Sequence, residues 1–472
     1  MISTAIVSFS MQLSAGSPEN TASDRSVYHA DREHLWNCLH EALFIRIGPD
    51  GGAYGQDRLE PLLWSHSKHL LEERSHGRAI AVLEEFLETN GEELIEVPLK
   101  RALLQRDLWL VFNWLEGNHS DFAEPPITLE AARATKERLR RPLAAVIRRL
   151  ALSPQEICDL PDNYAAAVAS GQFAPRFSFQ QPDKPYLPPE LFAADGPWVC
   201  VGRADGLTAP QHLREDGANQ FTNSVFLVFL RLPAGRAATA DYLKQLRSFD
   251  QPLLVRNPDD SESRSHPFVP NLKLPQFPKG TEMALVRRAL LIDSSRRVAA
   301  APITESVQLR VIHGDVPSTT PELLNDAFSS SAASRRRVGS WQSFHEVRLN
   351  RSDLFANRAG GLRAVGFDER DFKTGFNAHP WDEFERPLRA DQSFPGRNQR
   401  IGIKENCFAC HSLPGVYSFN SLQDFRSGLQ RNGDQLRAYP LAEMPIAEVA
   451  AAAVKWKQQR PNWSSLRKLL ED

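Results

Sequence analysis

Near the C-terminus the chain reads "ENCFACHSLPG", which sets Cys407, Cys410 and His411 within five residues. Five Cys and 13 His in 472 residues put the chance number of Cys-x-x-Cys-His strings at roughly 0.002. The string is therefore read as a site. The segment around it must fold so that two sulfurs and one imidazole face the same object.

Three chemistries use such a string. Covalent haem attachment needs two thiols that add to the vinyl groups along one porphyrin edge. Two intervening residues make one turn of backbone, so both sulfurs reach that edge. The histidine that follows directly then supplies an axial iron ligand. Each of Cys407, Cys410 and His411 has a place in that scheme. Zinc needs four ligands, commonly a second Cys pair or a His pair. Cys38, Cys158 and Cys200 stand far away and alone, and are expected to be small buried apolar residues. A redox dithiol needs a helix that starts at the motif, whereas Pro414-Gly415 follows almost at once.

Residues 398–459 resemble a single-haem c-type cytochrome domain. They share the attachment string, a loop-rich middle, a Met-Pro pair and a closing helix with an aromatic residue. The resemblance covers about a seventh of the chain. It implies one covalently attached haem c held by Cys407 and Cys410, with His411 as the proximal ligand. It also implies a later methionine on the far side of the iron. Met444 is that methionine, 33 positions after His411 and just before Pro445. His379 is the alternative sixth ligand. Unlike that family, the stretch before the motif, "FPGRNQRIGIKEN", reads as loop or strand instead of an amphipathic helix.

The resemblance implies electron transfer, with a redox partner protein that the sequence does not name, and a periplasmic or otherwise extracytoplasmic location. A peroxidase-like haem oxidoreductase with an open iron position is the alternative, as is a zinc-binding structural protein. Residues 1–24 read as a leader or a disordered stretch. The apolar run from Ala5 to Leu13 lacks the preceding Lys or Arg of an ordinary secretory signal.

The rest of the chain reads as an α+β multidomain protein. Residues 25–170 are expected to form a helical domain. In it, Ile80, Leu83 and Leu87 share a face up to the stop at Asn90-Gly91, and another helix starts at Pro98. Ser153 and Glu156 predict a capping box. The seven Lys and Arg between Arg133 and Arg149 are expected to be a solvated helix face rather than an anionic docking face. A Pro-rich linker (171–190) leads to an antiparallel, sandwich-like β-rich domain (191–360). Strands are expected at Val225–Leu232, Met283–Ile292, Ser306–Ile312 and Ser343–Leu349, and a helix at Ala238–Leu246. In "SVQLRVI" the alternation predicts Gln308 and Arg310 on an exposed face. Residues 361–472 form the small, mostly helical or loop, cytochrome c-like segment.

Nothing global points to nucleic acid or an acidic membrane, since 56 Lys and Arg face 58 Asp and Glu for a net charge of −2. The longest strongly apolar run, Val225 to Leu230, is far too short to span a bilayer, so no transmembrane helix is expected. Dinucleotide, P-loop, nucleophile-elbow and H-E-x-x-H signatures are absent. His66 and His69, and His34 with Cys38 and His40, lack a further ligand at matching spacing and are read as ordinary side chains.

Overall fold

The computed structural model describes residues 27–47, 53–57, 69–71, 73–116, 129–213, 223–251, 254–256, 268–313, 342–366, 369–372, 400–404, 411, 415–419 and 441–471. At its centre is a seven-stranded antiparallel sheet. Its strands are β1 (Val199–Gly202), β2 (Ser224–Arg231), β3 (Glu282–Ile292), β4 (Val298–Ile312), β5 (Gln342–Leu349), β6 (Leu362–Ala364) and β7 (Ala442–Glu443). The order across the sheet is β6-β5-β4-β3-β2-β1-β7. Six strands thus form a meander in chain order, and the C-terminal strand closes the free edge of β1. The mixed α+β class and the antiparallel sheet agree with the sequence expectation. A sandwich does not form among the described residues, because no second large sheet faces this one.

One face carries helices: α1 (Leu35–Phe44), α2 (Glu73–Glu88), α3 (Pro98–Glu116), α4 (Leu129–Arg149), α5 (Pro154–Cys158) and α6 (Asn163–Ala169). The expected starts and stops hold here. Pro98 opens α3, Asn90 takes the left-handed conformation beyond α2, and Ser153 and Glu156 cap each other reciprocally ahead of α5. Leu83 and Phe86 of α2 and Leu104, Leu108 and Val111 of α3 are buried. They share one apolar core with Val286 and Val307 of the sheet. The helical region and the sheet are therefore packed as one body around that core, not as the two separately cored domains expected. The Pro-rich stretch is no free linker either. Tyr186, Leu187 and Leu191 are buried in the same core, since proline forbids regular structure but not packing.

The C-terminus returns to this core. Earlier in the chain, α7 (Arg236–Ser248) lies on the other face and α8 (Arg351–Phe355) follows β5; after β7 come α9 (Ile446–Gln458), which packs on β2 and β4, and α10 (Pro461–Glu471), which lies over α3 and α4. Pro461 ends one helix and opens the next, so α10 was hidden behind an apparent stop. Trp463 stands 5.8 Å from Trp109, and Leu466 and Leu470 are buried. The basic face of α4 serves this docking. Arg140 reaches Ser465 and Glu116, and Arg148 donates to the Leu470 carbonyl. Arg149 pairs with Glu92 at 2.9 Å. Arg133, Arg138 and Arg141 stay exposed, as a solvated face requires, while Arg140 and Arg148 also hold the C-terminal helix.

Two buried amides tie helices to strand backbone. Gln105 of α3 accepts from the Ile292 N–H (3.0 Å) and donates to the Ile292 carbonyl (2.8 Å). Asn163 does the same for Thr304 of β4, just past the last β4–β5 pair, and also donates to the Gly360 carbonyl at 3.0 Å. Gly360 has φ +57°, and a Cβ there would lie 1.9 Å from the Asn163 carbonyl oxygen. Gly360→Ala is expected to destabilise the fold by more than the ~1–3 kcal/mol of backbone strain alone. A chemical-denaturation midpoint lowered with an unchanged slope is the check.

The opposite face of the sheet carries a second, smaller core. It joins Val199, Val201, Phe226, Val228, Leu230 and Met283 to Leu243 of α7, Phe277 and residues 416–419. No helix among the described residues is long and apolar enough to cross a membrane.

Candidate functional site

His411 is buried on this second face. The register fixes which side chains share the face. Phe226, Arg287, Ser306 and Arg348 form one row across β2 to β5, and Leu230, Met283, Arg310 and Phe344 form another four residues along. Ile312 and Gln342 are paired beyond it. Gln308 and Arg310, expected to be exposed, are only 7% and 5% exposed, because the second layer covers them.

That buried polar row holds His411. Gln342 donates through Nε2 to the His411 carbonyl at 2.6 Å. The imidazole Nδ1 lies 2.9 Å from the Ser418 carbonyl oxygen, and Arg310 donates through Nη1 to the same oxygen at 2.9 Å. A carbonyl has two lone pairs and can accept both bonds. Because it only accepts, Nδ1 must carry the proton. The lone pair of the neutral ring then sits on Nε2, which has no hydrogen-bond partner among the described residues.

The Ser418 carbonyl is itself held in place. Residues Gly415–Ser418 form one tight 3-10 turn, entered with Gly415 at φ +56°, a conformation that glycine adopts without strain. The Ser418 hydroxyl donates to the Gly415 carbonyl at 2.9 Å, and the Tyr417 hydroxyl donates to the Asn271 carbonyl at 2.5 Å. Pro414-Gly415 thus stands before a turn that orients the histidine.

Burial, then the Arg310 guanidinium, hold the His411 pKa well below its ordinary value, against the opposing pull of the Ser418 carbonyl. The ring stays neutral at physiological pH. A neutral imidazole with Nδ1–H fixed on a backbone carbonyl and Nε2 free is the donor that an iron or zinc ion takes. His411 therefore fits the metal-ligand role expected of it, and Ser418, Gln342 and Arg310 supply the outer shell. Sequence reasoning missed these three. The only signal was a polar pair, Gln308 and Arg310, inside a strand that proves to be covered on both faces.

Cys407, Cys410 and His379 lie outside the described residues. Met444 is described, and it is not brought to His411. Its N–H donates to the Cys200 carbonyl at 2.9 Å, just past the two β7–β1 pairs. Its sulfur lies against Gly202, 2.9 Å from where a Cβ would sit, and it packs with the first core. Met444 and His411 are thus on opposite faces of the sheet. The 33-residue spacing matched the resemblance, but β7 pairing at the sheet edge commits Met444 to the other side.

Of the three lone cysteines, only Cys200 is buried; Cys38 is half-buried and Cys158 exposed. Compared with protein-family models, with curated proteins and with solved structures, the chain matches none.

Proposed function

We propose that the chain is a covalent haem c protein that transfers electrons outside the cytoplasm. Cys407 and Cys410 form the thioethers and His411 is the proximal ligand. The observation that carries the reading is the bond from His411 Nδ1–H to the Ser418 carbonyl, which leaves Nε2 as the donor atom directly after a Cys-x-x-Cys pair. Bound there, haem would supply one-electron exchange.

The chain's own residues do the rest. Ser418 and Gln342 fix the ring, and burial keeps it neutral. Arg310 places a positive charge beside the ligand, which favours the more electron-rich state of whatever metal the ring holds. The location follows from the attachment chemistry that the resemblance implies. Protein matured with haem-attachment machinery is expected to keep its haem through acid-acetone extraction. The double variant Cys407→Ser with Cys410→Ser is expected to release it. Extractable haem in the unaltered chain, or none, overturns the reading. Zinc bound stoichiometrically in its place would favour the structural-site alternative.

A further inference from the structure

Residues 27–34 form a strap over the start of α1. Asn37 of that helix holds it with both ends of its amide. Its Oδ1 accepts from the Tyr28 and His29 N–H groups at 2.9 and 3.4 Å, and its Nδ2 donates to the His29 and Asp31 carbonyls at 2.8 and 2.7 Å. Lys100 of α3 donates to the Tyr28 carbonyl at 2.5 Å. The strap plants Tyr28, with no solvent exposure, in the first core. There its ring meets His40 edge-on with centroids 5.2 Å apart, and it also touches Trp36 and Phe355.

Two histidines fasten the strap to the helix. His34 is the N-cap of α1, and its Nδ1 accepts from the Trp36 N–H at 3.2 Å. His29 Nδ1 accepts from the Asp31 N–H at 3.1 Å. The two rings stack with centroids 4.2 Å apart and planes at 26°. The usual caps are Ser, Thr, Asn and Asp, none of which titrates near neutral pH. An imidazole does. A nitrogen that accepts from an N–H cannot also carry a proton, so protonation of Nδ1 removes the cap outright. The cation so formed would face the positive end of α1 and lie against the His29 ring. Burial first, then His29, hold the His34 pKa below its ordinary value; Lys100 adds to this and Asp31 opposes it. Arg32 and Glu33, next to it in the chain, are exposed to solvent.

We infer that His34 is an acid-released latch: in mild acid its protonation unfastens residues 27–34 from α1 and lifts Tyr28 off His40. The latch goes beyond the haem c reading and does not depend on the group held at His411. With the strap closed the ring stays neutral, and with it open the ring titrates near pH 6.5, so the open form binds the extra proton. The closed form is fully favoured above about pH 6.5. Below that it loses about a factor of ten per pH unit, until the closed ring takes the proton too.

Hydrogen exchange of the full chain at pH 7, 6 and 5 measures the opening. It is read by mass spectrometry of the peptide covering residues 27–37 and corrected for the intrinsic pH dependence of exchange. The opening constant is expected to rise by up to about tenfold per unit below pH 6.5 while peptides from α3 stay protected. His34→Asn supplies a cap that does not titrate. It is expected to keep the strap closed at pH 7 and to lower the slope by one proton, even where His40, uncovered by Tyr28, keeps a slope of its own. In a histidine-labelled nuclear magnetic resonance titration, the ring signal missing from His34→Asn is expected to titrate below pH 6.5. An opening constant unchanged between pH 7 and 5 overturns the inference, as does an equal slope in His34→Asn. So does a His34 signal that titrates at or above 6.5, or strap exchange that rises only together with α3, which would assign the acid response to global unfolding.

Discussion

Asp107→Ala is expected to cost about 3–5 kcal/mol, a large part of the ~5–15 kcal/mol that holds a domain together. Asp107 lies on α3 with no solvent exposure. Arg351, equally buried, donates to it through Nη2 at 2.5 Å, and Arg106 Nη1 stands 3.5 Å away. Arginine does not lose its proton in proteins, so both guanidiniums stay charged whatever faces them. Burial alone would weaken the charge on Arg351, yet Asp107, Tyr28 and Asp57 together outweigh it and its pKa is raised. Removing the carboxylate takes away the anion that Arg351 Nη2 donates to, while Nη1 keeps the Gly55 and Gln56 carbonyls. Arg106 keeps Glu305, which also takes Arg287 at 3.1 Å and the Ser224 hydroxyl at 2.6 Å.

Urea unfolding of haem-free protein measures the cost as a lowered midpoint at constant slope. The double variant Asp107→Leu with Arg351→Met is expected to lose less than the two single losses added, because the uncompensated charge is gone. A loss below about 1 kcal/mol for Asp107→Ala would mean that water reaches the cluster and that it does not hold α3 against α8 and the sheet.

The second large effect is acid sensitivity. His40, 1% exposed, is held well below 6.5 by burial and then by Arg351. His345, 4% exposed, is pushed down to about 4 by burial first and Lys404 second. In the unfolded chain both rings take a proton near pH 6.5, whereas the folded chain keeps them neutral to much lower pH. Between those limits the unfolded state holds more protons, so stability rises with pH. It is complete above about pH 6.5 and is lost as the pH falls towards 4. Each ring contributes up to about 1.4 kcal/mol per pH unit inside that window, so His345 alone accounts for at most roughly 3 kcal/mol.

Glu305 adds the same sign lower down. Burial opposes its ionisation, but Arg106 and Arg287 prevail, and its pKa falls below the ordinary 4.5. Urea midpoints at pH 7, 6 and 5 are expected to fall steadily. His345→Gln is expected to make the fall shallower by about half. A flat profile from pH 6.5 to 4.5 contradicts the neutral buried histidines.

Local order was readable from the sequence where a few neighbouring residues decide it. The reciprocal bonds of Ser153 and Glu156, the left-handed Asn90 and the opening Pro98 depend on atoms within one helical turn. So do the main strands, whose β-branched and aromatic runs leave few other choices. What failed was any statement about which face is covered. Arg310 and Gln308 alternate with Val307, Leu309 and Val311 as in a half-exposed strand. Yet a turn from residues 416–419 and helix α7 cover that side. The arginines of α4 have the spacing of a solvated face and are mostly exposed, but Arg140 and Arg148 also bond to the last helix of the chain.

The same division runs through the candidate site. Cys407, Cys410 and His411 are legible because thioether attachment and proximal ligation need groups within one turn of backbone, and such a need leaves a local string. The group opposite His411 leaves none. Its place depends on strand register, because a side chain changes faces with every residue along a strand and strand pairing decides which segments become neighbours. Sequence spacing pointed to Met444. Pairing of β7 with β1 sets that residue on one face of the sheet, whereas His411 is held on the other by Gln342 and the Ser418 carbonyl.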